Sequence, residues 1–439
     1  KIDLSGHSER VRSVLTVSND GSKAETTMVL AIPSERSENL SFVKAMASKK
    51  KCKLVNLPTT GPNGEPLFEI TFDKPLKPNQ VKKITVISGF VGILVPHPAE
   101  VKQIDPHLVK YTGSLYEISP YMVKSQKTSI KLSTSNVLSS TKTKPYSSKG
   151  SKISYGPYEN VKPYTYKPMS VHFESKAQFS TLTELEREIK VCHWGGVVFS
   201  ETYNLRHSGA KLKDVFSRID YEKGQRGSSF DHFAARLPEN SYGIDYRDDI
   251  GNISTSNVRE TSKNVVFEMR PRFPLFGGWK SIFNLYYTVP ITQLVSTIPG
   301  TSSYMLNTTF STPFDEVVTE KATIKVVLPE GSSDIQWVTP FHIDSVDFEV
   351  QKTYLDLTGR PVLVLNTRNL MRYHNQYFQV IYSYPNIMIH RGPLFVVIGF
   401  MLFFSIAIFF FRVDLTIGRE EEQAEVEAAS SSTLKDKTE

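Results

Sequence analysis

One stretch near the C-terminal end limits the folds open to this chain. Residues 392–411, GPLFVVIGFMLFFSIAIFFF, contain no charged side chain and are bounded by Arg391 and Arg412. A helix rises about 1.5 Å per residue, so about twenty residues cross a hydrocarbon core about 30 Å thick. A buried helix of a soluble protein normally has a polar edge, and this one offers only Ser405. The sequence therefore predicts a transmembrane helix at 391–412.

The residues on either side of this helix predict its orientation. The chain starts at Lys1 and not at Met, as expected after removal of a signal peptide. The sequons at Asn39, Asn252 and Asn307 all precede the helix and are predicted N-glycosylation sites. These features predict a single-pass type I membrane protein with its bulk in the secretory lumen. Residues 413–439 are acidic and then serine-rich, which predicts a short disordered cytosolic tail.

The region before the helix is predicted to be mainly β. Apolar and polar residues alternate over Phe68–Phe72 and over Phe378–Tyr384, which is the period of a strand with one buried face. A helical period occurs only briefly, for example over Thr181–Ile189. The fold class that follows is two β-sandwich-like lumenal domains, then the transmembrane helix and the tail.

A weak internal similarity suggests where the two domains divide. SVLTVSNDGSK (Ser13–Lys23) and YNLRHSGAKL (Tyr203–Leu212) both start with apolar residues and continue into a polar turn that contains glycine. We therefore expect similar β-rich domains at 1–184 and 185–390.

Motifs for common chemistry are missing from the sequence. It contains no Walker A loop, GxGxxG, HExxH, GxSxG or DxD. The acidic clusters around Asp245–Asp249 and Asp344–Asp347 are more typical of turns and strand ends than of a metal site. His193, His232 and His342 have no evident partner for proton transfer. The sequence thus predicts no catalytic residue, no metal site and no cofactor.

Cysteines and lysines leave their roles open. Cys52 and Cys192 are too few for a metal cage, and the sequence does not show whether they pair. Residues 121–170 hold nine lysines and one acid, Glu159, and a second basic cluster comprises Lys49, Lys50, Lys51 and Lys53. A solvated face is the simplest interpretation, and an acidic partner or lipid headgroups are the alternatives.

The segment RPRFPLFGGWK (Arg270–Lys280) concentrates cations, prolines, glycines and aromatic residues. Its prolines exclude a central strand, and its Gly-Gly pair permits a sharp turn. Three interpretations stay open: a packed corner between sheets, a partner interface, and a glycan contact through stacking rings. Its candidate residues for contact with a partner or an acceptor chain are Arg270, Phe273, Phe276 and Trp279.

Four segments together resemble the ribophorin I family. They are HSGAKLKDVFSRIDY (His207–Tyr221), RDDIGNISTS (Arg247–Ser256), RPRFPLFGGWK (Arg270–Lys280) and YLDLTGRPVLV (Tyr354–Val364). The sequence resembles a fungal member of that family, and the resemblance covers most of residues 180–415. It implies a non-catalytic, single-pass subunit of the oligosaccharyltransferase complex in the endoplasmic-reticulum membrane. That complex transfers a preassembled glycan from dolichyl pyrophosphate to Asn in Asn-X-Ser/Thr of nascent chains.

The same resemblance implies the partners. They are a polytopic catalytic subunit that supplies the metal-binding carboxylates, other small membrane subunits, nascent polypeptides and the lipid bilayer, with no nucleic acid. An independent membrane-anchored lumenal lectin or chaperone-like receptor is the alternative. An autonomous glycosidase or transferase ranks third, because the sequence shows no paired acids in a recognisable setting.

Overall fold

Strands dominate the structure, a computed structural model that describes residues 1–47, 50–224, 226–354, 356–413 and 419–435. The chain divides into a β-rich unit, Lys1–Tyr384, and a C-terminal unit, Pro385–Glu439. The prediction of a mainly β protein with an apolar C-terminal helix is confirmed.

The first part of the β-rich unit contains an eight-stranded sheet. Its neighbours are antiparallel, except that the first strand of the chain pairs in parallel with Val123–Leu132. In spatial order, the strands are Tyr146–Lys149, Lys152–Val161, Val123–Leu132, Ile2–Leu4, Glu9–Ser18, Val81–Phe90, Leu40–Ala47 and Lys50–Lys51.

Two smaller antiparallel sheets accompany the large one. The three-stranded sheet has the order Glu25–Ala31, Pro66–Leu76, Lys53–Thr60, and the four-stranded sheet has the order Val137–Ser140, Pro168–Glu174, Leu108–Ser114, Leu94–Pro96. One hydrophobic core joins all three sheets, because Ile84, Ile70 and Phe173 belong to the same buried cluster. We call this part, residues 1–174, the first repeat.

Residues 180–383 repeat this topology strand for strand, and we call them the second repeat. The eight-stranded sheet has the order Ser345–Gln351, Arg360–Leu370, Val318–Val327, Ser180–Val191, Val197–His207, Lys280–Val289, Tyr242–Asp248, Gly251–Asn252. The smaller sheets have the orders Phe233–Leu237, Val265–Met269, Asn257–Glu260 and Ser333–Val338, Tyr377–Ser383, Ser303–Thr309, Val295–Thr297. The parallel pair recurs at the equivalent place, between Ser180–Val191 and Val318–Val327.

The two segments with weak internal similarity begin in equivalent strands of the two repeats. Ser13–Lys23 begins in the second strand of the first repeat, and Tyr203–Leu212 begins in the second strand of the second repeat. The sheets change over between Glu174 and Ser180, and the strand Ser180–Val191 crosses residue 184. A division into domains at 184 and 185 stays a prediction.

The helical period over Thr181–Ile189 was misleading, because these residues lie in the strand Ser180–Val191. A bulge between Leu182 and Glu184 shifts the register, so buried Leu182 and Leu185 are three residues apart as in a helix. Beyond the bulge the strand alternates, and one of its buried residues is Arg187, which a hydrophobicity pattern counts as polar.

The described helices of the β-rich unit are short, whereas the C-terminal unit holds one short helix and two long ones. The former holds Arg218–Glu222, Ile291–Leu294 and the 3-10 turns Ser34–Arg36 and Arg372–His374, and the latter holds Asn386–Ile389, Arg391–Arg412 and Arg419–Lys435. Arg391–Arg412 is long and apolar enough to cross a membrane. The tail was predicted to be disordered, yet its Glu- and Ala-rich part forms the helix Arg419–Lys435, in keeping with the helix propensity of those residues.

Candidate functional site at an aromatic corner

The segment Arg270–Lys280 forms a tight corner between two strands of the second repeat. The N–H of Gly278 donates to the carbonyl oxygen of His207 at 2.9 Å. A Cβ atom at Gly277 would lie 1.6 Å from the carbonyl oxygen of Ala210, and Gly278 has φ +83°, which L side chains rarely adopt. Backbone packing therefore requires both glycines.

Five rings cluster around this corner, and we call them the aromatic corner: Phe216, Tyr221, Phe273, Phe276 and Trp279. The centroid of the Phe276 ring lies 5.4 Å from the Phe216 ring centroid, 5.4 Å from the Trp279 ring centroid and 6.1 Å from the Tyr221 ring centroid. Phe273 contacts Trp279 with centroids 6.0 Å apart. Most of these contacts are edge-on or tilted, the arrangements that aromatic pairs prefer in cores.

The four predicted contact residues differ in exposure. Phe276 is buried, at 2% exposure, and contributes to packing rather than to a surface. Phe273 is 41% exposed, Arg270 is exposed and Trp279 is half-buried. Arg270, Phe273 and the open part of Trp279 thus stay candidates for contact with a partner or an acceptor chain.

Two aliphatic residues that flank Phe216 in the sequence are also exposed. Val215 is 93% exposed and Ile219 is 66% exposed, and each lies close in sequence to the aromatic-corner residue Phe216. Our sequence reasoning missed them. The signal was present, because both are apolar residues in the polar run KLKDVFSRID.

An ion pair connects the corner to the turn that precedes the Asn252 sequon. The guanidinium group of Arg272 binds the carboxylate of Asp248 in a bidentate manner, at 2.7 and 2.8 Å. The hydrogen bonds from Arg272, helped by the N–H groups of Ile250 and Gly251, lower the pKa of Asp248 to about 2. Three of the four family-like segments therefore meet at this corner.

The aromatic corner also lies on a contact between the two repeats. Lys211–Leu212 of the second repeat pairs in parallel with Glu100–Val101 of the first. The N–H of Ala210, on which Gly277 packs, donates to Nε2 of His107 at 3.3 Å. The corner thus packs against Ala210, which itself contacts the first repeat.

Buried histidines line the contact between the repeats. His107 and His207 are 5% and 1% exposed, with ring centroids 6.4 Å apart. Burial lowers the pKa of His107 to about 4 and lowers the pKa of His207. His7 is half-buried with its Nδ1 enclosed, and its Nε2 lies 3.2 Å from Oγ of Ser208. Burial lowers the pKa of His7 to about 3.

A second contact between the repeats combines packed rings with a hydrogen bond. The ring of Phe42 in the first repeat stacks on that of Tyr373 at 3.9 Å and meets His374 edge-on at 6.0 Å. His374 is 3% exposed, and burial lowers its pKa to about 4. Asn369 donates from Nδ2 to the carbonyl oxygen of Glu38 at 2.7 Å, next to the sequon at Asn39.

The three predicted glycosylation sites have different environments. Asn252 is exposed at a sheet edge, and Ser254 of its sequon is exposed too. Asn39 is half-buried and donates from Nδ2 to the carbonyl oxygen of Val91 at 2.9 Å, so a glycan there would displace that bond. Asn307 is half-buried within the strand Ser303–Thr309. Asn252 is the most accessible acceptor of the three.

Each repeat contains a buried network of Glu, Arg and Tyr. Arg36 bonds both carboxylate oxygens of Glu9, which also accepts from Tyr111 at 2.7 Å. In the second repeat, Arg187 pairs with Glu201 at 3.1 Å. Glu9 and Glu201 lie in equivalent strands, and both are fully buried. Since their partners are internal, these networks support the fold and present no reacting group to solvent.

The acidic clusters noted in the sequence are engaged in ion pairs. Asp245 pairs with Arg247 at 2.8 Å, and Asp344 pairs with Arg368 at 3.4 Å. Among the residues that the structure describes, no group of three or more His, Cys, Asp or Glu side chains could hold a metal ion.

Cysteines and lysines can now be placed. Cys52 and Cys192 are both free thiols in this structure. Of the basic run, Lys124 pairs with Asp20 at 3.3 Å and Lys131 with Asp3 at 3.6 Å, and most of the other lysines are exposed. Lys49 of the second cluster lies outside the described residues.

We expect Gly277→Ala to destabilise the β-rich unit by about 3 kcal/mol, because the new methyl group meets a backbone oxygen that cannot turn away. Gly6→Ala is the matched control, since nothing lies within 4 Å of its added Cβ, and should change stability by less than about 0.5 kcal/mol. Thermal unfolding of the full chain in mild detergent measures both. Equal midpoints for the two variants would contradict the packing described here.

These features define a class: a β protein of two topological repeats, followed by one helix apolar enough to cross a membrane. The sequence model of the Ribophorin I family matches residues 1–411, so the chain belongs to that family.

Curated relatives agree with this assignment. A protein of Arabidopsis thaliana named dolichyl-diphosphooligosaccharide–protein glycosyltransferase subunit 1A is 40% identical, over 95% of this chain and 70% of its own length. Subunit 1B of the same plant is 39% identical over 96% of this chain and 93% of its own. Subunit 1 of Caenorhabditis elegans is 34% identical over 95% of this chain and 72% of its own length. Among solved structures, an M1 zinc metallopeptidase from Deinococcus radiodurans reaches a TM-score of only 0.28, at 11% identity over 47% of this chain and 42% of its own.

Proposed function

We propose that this chain is a non-catalytic subunit of the oligosaccharyltransferase complex, which transfers a preassembled glycan from dolichyl pyrophosphate to Asn in Asn-X-Ser/Thr. The observation that carries the proposal is the match to relatives named as subunit 1 of that transferase, along 95% and 96% of this chain. Those relatives come from a plant and a nematode, so the match is not confined to one lineage.

The arrangement of polar groups supports a structural role. The fully buried carboxylates of Glu9 and Glu201 are bound to arginine and tyrosine, and Asp248 is held by Arg272. The described residues include one helix apolar enough to cross a membrane, and one helix cannot by itself enclose a lipid-linked donor. The reaction would then take place in a polytopic partner, which this chain stabilises.

The exposed part of the aromatic corner is the proposed contact surface for that partner or for acceptor polypeptides. Phe273, Val215 and Ile219 offer exposed apolar area, and Arg270 is an exposed cation in the same segment as Phe273. Aromatic residues and arginine are enriched at protein interfaces. Acceptor chains guided along this surface would remain close to the transferase.

We propose an endoplasmic-reticulum location, with the β-rich unit in the lumen and the tail in the cytosol. The exposed sequon at Asn252 gives this orientation a direct test, because only a lumenal asparagine meets the glycosylation machinery.

Ser254→Ala should abolish glycosylation at Asn252, because the hydroxyl two positions after the asparagine is part of the acceptor signal. The fold should barely change, since Ser254 is exposed. Glycosidase digestion and peptide mass spectrometry of the chain from a secretory host measure the modification. Ser256→Ala is the control and should leave the glycan in place. A glycan that persists at Asn252 in Ser254→Ala would contradict the assignment.

Co-purification separates the proposed function from the alternative of an independent lectin or chaperone-like receptor. Tagged full-length chain is extracted in mild detergent, and its partners are identified and quantified. An equimolar polytopic transferase subunit supports the proposal. A chain that is recovered alone, and that binds glycans directly, favours the receptor.

A further inference from the structure

The two repeats end in equivalent sheet edges that differ sharply in chemistry. In each repeat, one edge strand of the four-stranded sheet is followed in sequence by the outer strand of the eight-stranded sheet. In the first repeat these strands are Val137–Ser140 and Tyr146–Lys149, and in the second they are Ser333–Val338 and Ser345–Gln351. We call them the first edge and the second edge.

The first edge shows the features that protect a sheet from further pairing. Its strands have only 4 residues each, and the stretch VLSSTKTKPYSSK contains Lys142, Lys144 and Lys149 with no acidic residue. Short edge strands and exposed lysines disfavour the addition of another strand.

The second edge has longer strands and no lysine, and its outer strand carries Asp347 and Glu349 between apolar residues. Its strands have 6 and 7 residues, and its exposed apolar side chains include Val338 (56%), Phe348 (57%) and Val350 (65%). The rings of Trp337 and Phe348 are 5.9 Å apart, so the apolar side chains of the two strands adjoin each other. A long apolar edge of this kind invites pairing with a further strand.

The charge of the second edge indicates what would pair with it. The stretch 333–351 contains four carboxylates, Asp334, Asp344, Asp347 and Glu349, and no lysine or arginine. Asp344 pairs with Arg368, and the pKa of Lys325 is raised by its hydrogen bond to Glu186 and also by the charge of Glu349, whereas Asp334 and Asp347 form no ion pair within the described part of the chain. A strand whose apolar residues alternate with Lys or Arg would match both the apolar row and the acidic rim.

We propose that the second edge binds an extended, basic and apolar segment of another subunit of the same complex, which adds as a strand beside Ser345–Gln351. This inference rests on the proposed function. A permanent subunit suits this surface better than a transient acceptor chain, because an apolar edge left open between clients would favour aggregation. The contrast with the guarded first edge, in the same chain and at the equivalent place, supports a dedicated binding site.

A pair of charge variants tests the site within the assembled complex. The variant Phe348→Lys with Val350→Lys removes apolar contact area from the second edge and adds positive charge that repels a basic segment. It also places lysines on this edge, as in the first repeat. The matched control is Leu138→Lys with Ser148→Lys at the first edge, where both residues are exposed. We expect at least a tenfold loss of one subunit from the purified complex for the first pair and none for the control, with equal thermal unfolding midpoints.

Photo-crosslinking identifies the occupant. A benzophenone amino acid replaces Phe348, or Leu138 as control, in the full-length chain, and the crosslinked peptide is sequenced by mass spectrometry. A crosslink from position 348 to a segment of a complex subunit in which apolar and basic residues alternate supports the inference. Crosslinks only to acceptor chains, or to no protein, overturn it, as does equal subunit recovery for both charge variants. Failure of the proposed function would show earlier, as absence of the complex around the unsubstituted chain.

Discussion

Replacing Arg187 by Met is expected to destabilise the β-rich unit by about 3–5 kcal/mol, because it leaves the carboxylate of Glu201 buried without a counter-charge. Arg187 and Glu201 are 1% and 0% exposed, and the guanidinium group lies 5.1 Å from the centre of the Phe199 ring. Tyr203 and Tyr287 donate to the same carboxylate, and burial, together with the charge of that carboxylate, raises their pKa values. The network therefore depends on the cation at its centre.

Arg206→Met is the matched control for that variant. Arg206 also pairs with a carboxylate, Glu320, at 2.7 Å, but the two side chains are 37% and 43% exposed. An exposed pair contributes about 1 kcal/mol or less. The double variant Arg187→Met with Glu201→Gln should recover part of the loss, because no charge stays buried alone. Guanidinium denaturation of the full chain, followed by tryptophan fluorescence, measures all three variants. Equal losses for Arg187→Met and Arg206→Met would contradict the role of burial.

Acidification from about pH 7.5 to about pH 5 is expected to remove about 4 kcal/mol of stability through His107 and His374. The pKa of each is lowered from 6.5 to about 4 in the folded chain, so the unfolded chain binds protons at a higher pH than the folded chain does. Stability is therefore complete above about pH 6.5 and is lost as the pH falls toward 4. His7 and His207 act in the same direction. Burial raises the pKa of Glu117, which acts in the opposite direction.

The variant His107→Gln with His374→Gln isolates this effect, because glutamine keeps a hydrogen-bond acceptor and does not titrate. The dependence of stability on pH between 7.5 and 5 should become shallower by about 4 kcal/mol over the interval, while Glu117 contributes equally to every variant. His232→Gln is the control, since the His232 side chain is 76% exposed. The same pH dependence in both variants would show that the contact between the repeats does not titrate as described.

Local sequence patterns predicted two kinds of element. A strand with one buried face alternates apolar and polar residues, and a helix surrounded by lipid is apolar all round, so each leaves a pattern that is visible without the fold. Phe68–Phe72 lies in the strand Pro66–Leu76 as expected, and Phe378–Ser383 lies in the strand Tyr377–Ser383, which ends one residue before Tyr384. The failure at Thr181–Ile189 has a physical cause: a bulge and a buried arginine imitate a helical period. The strand order was beyond reach, because Ile2–Leu4 pairs with residues more than a hundred positions away.

The candidate site was predictable in part. The prolines and the Gly-Gly pair in Arg270–Lys280 indicated a turn. The structure adds what the sequence could not show, namely that the backbone of Ala210 lies against Gly277. Nothing local to the sequence could show that His107 and His207 face each other, since one belongs to each repeat. The contrast between the two edges likewise needed the topology, because only the repeat makes the lysine-rich and the acidic stretches equivalent.

The most direct test of the central claim is an assay of glycan transfer from a lipid-linked donor to an Asn-X-Thr peptide. It compares the material that co-purifies with the tagged full-length chain in mild detergent with the same chain stripped of its partners. A non-catalytic subunit predicts activity in the complex, in equimolar company with a polytopic subunit, and none in the isolated chain. Transfer by the isolated chain would contradict the account. So would a mild-detergent purification that recovers the tagged chain alone, without a polytopic partner and without activity.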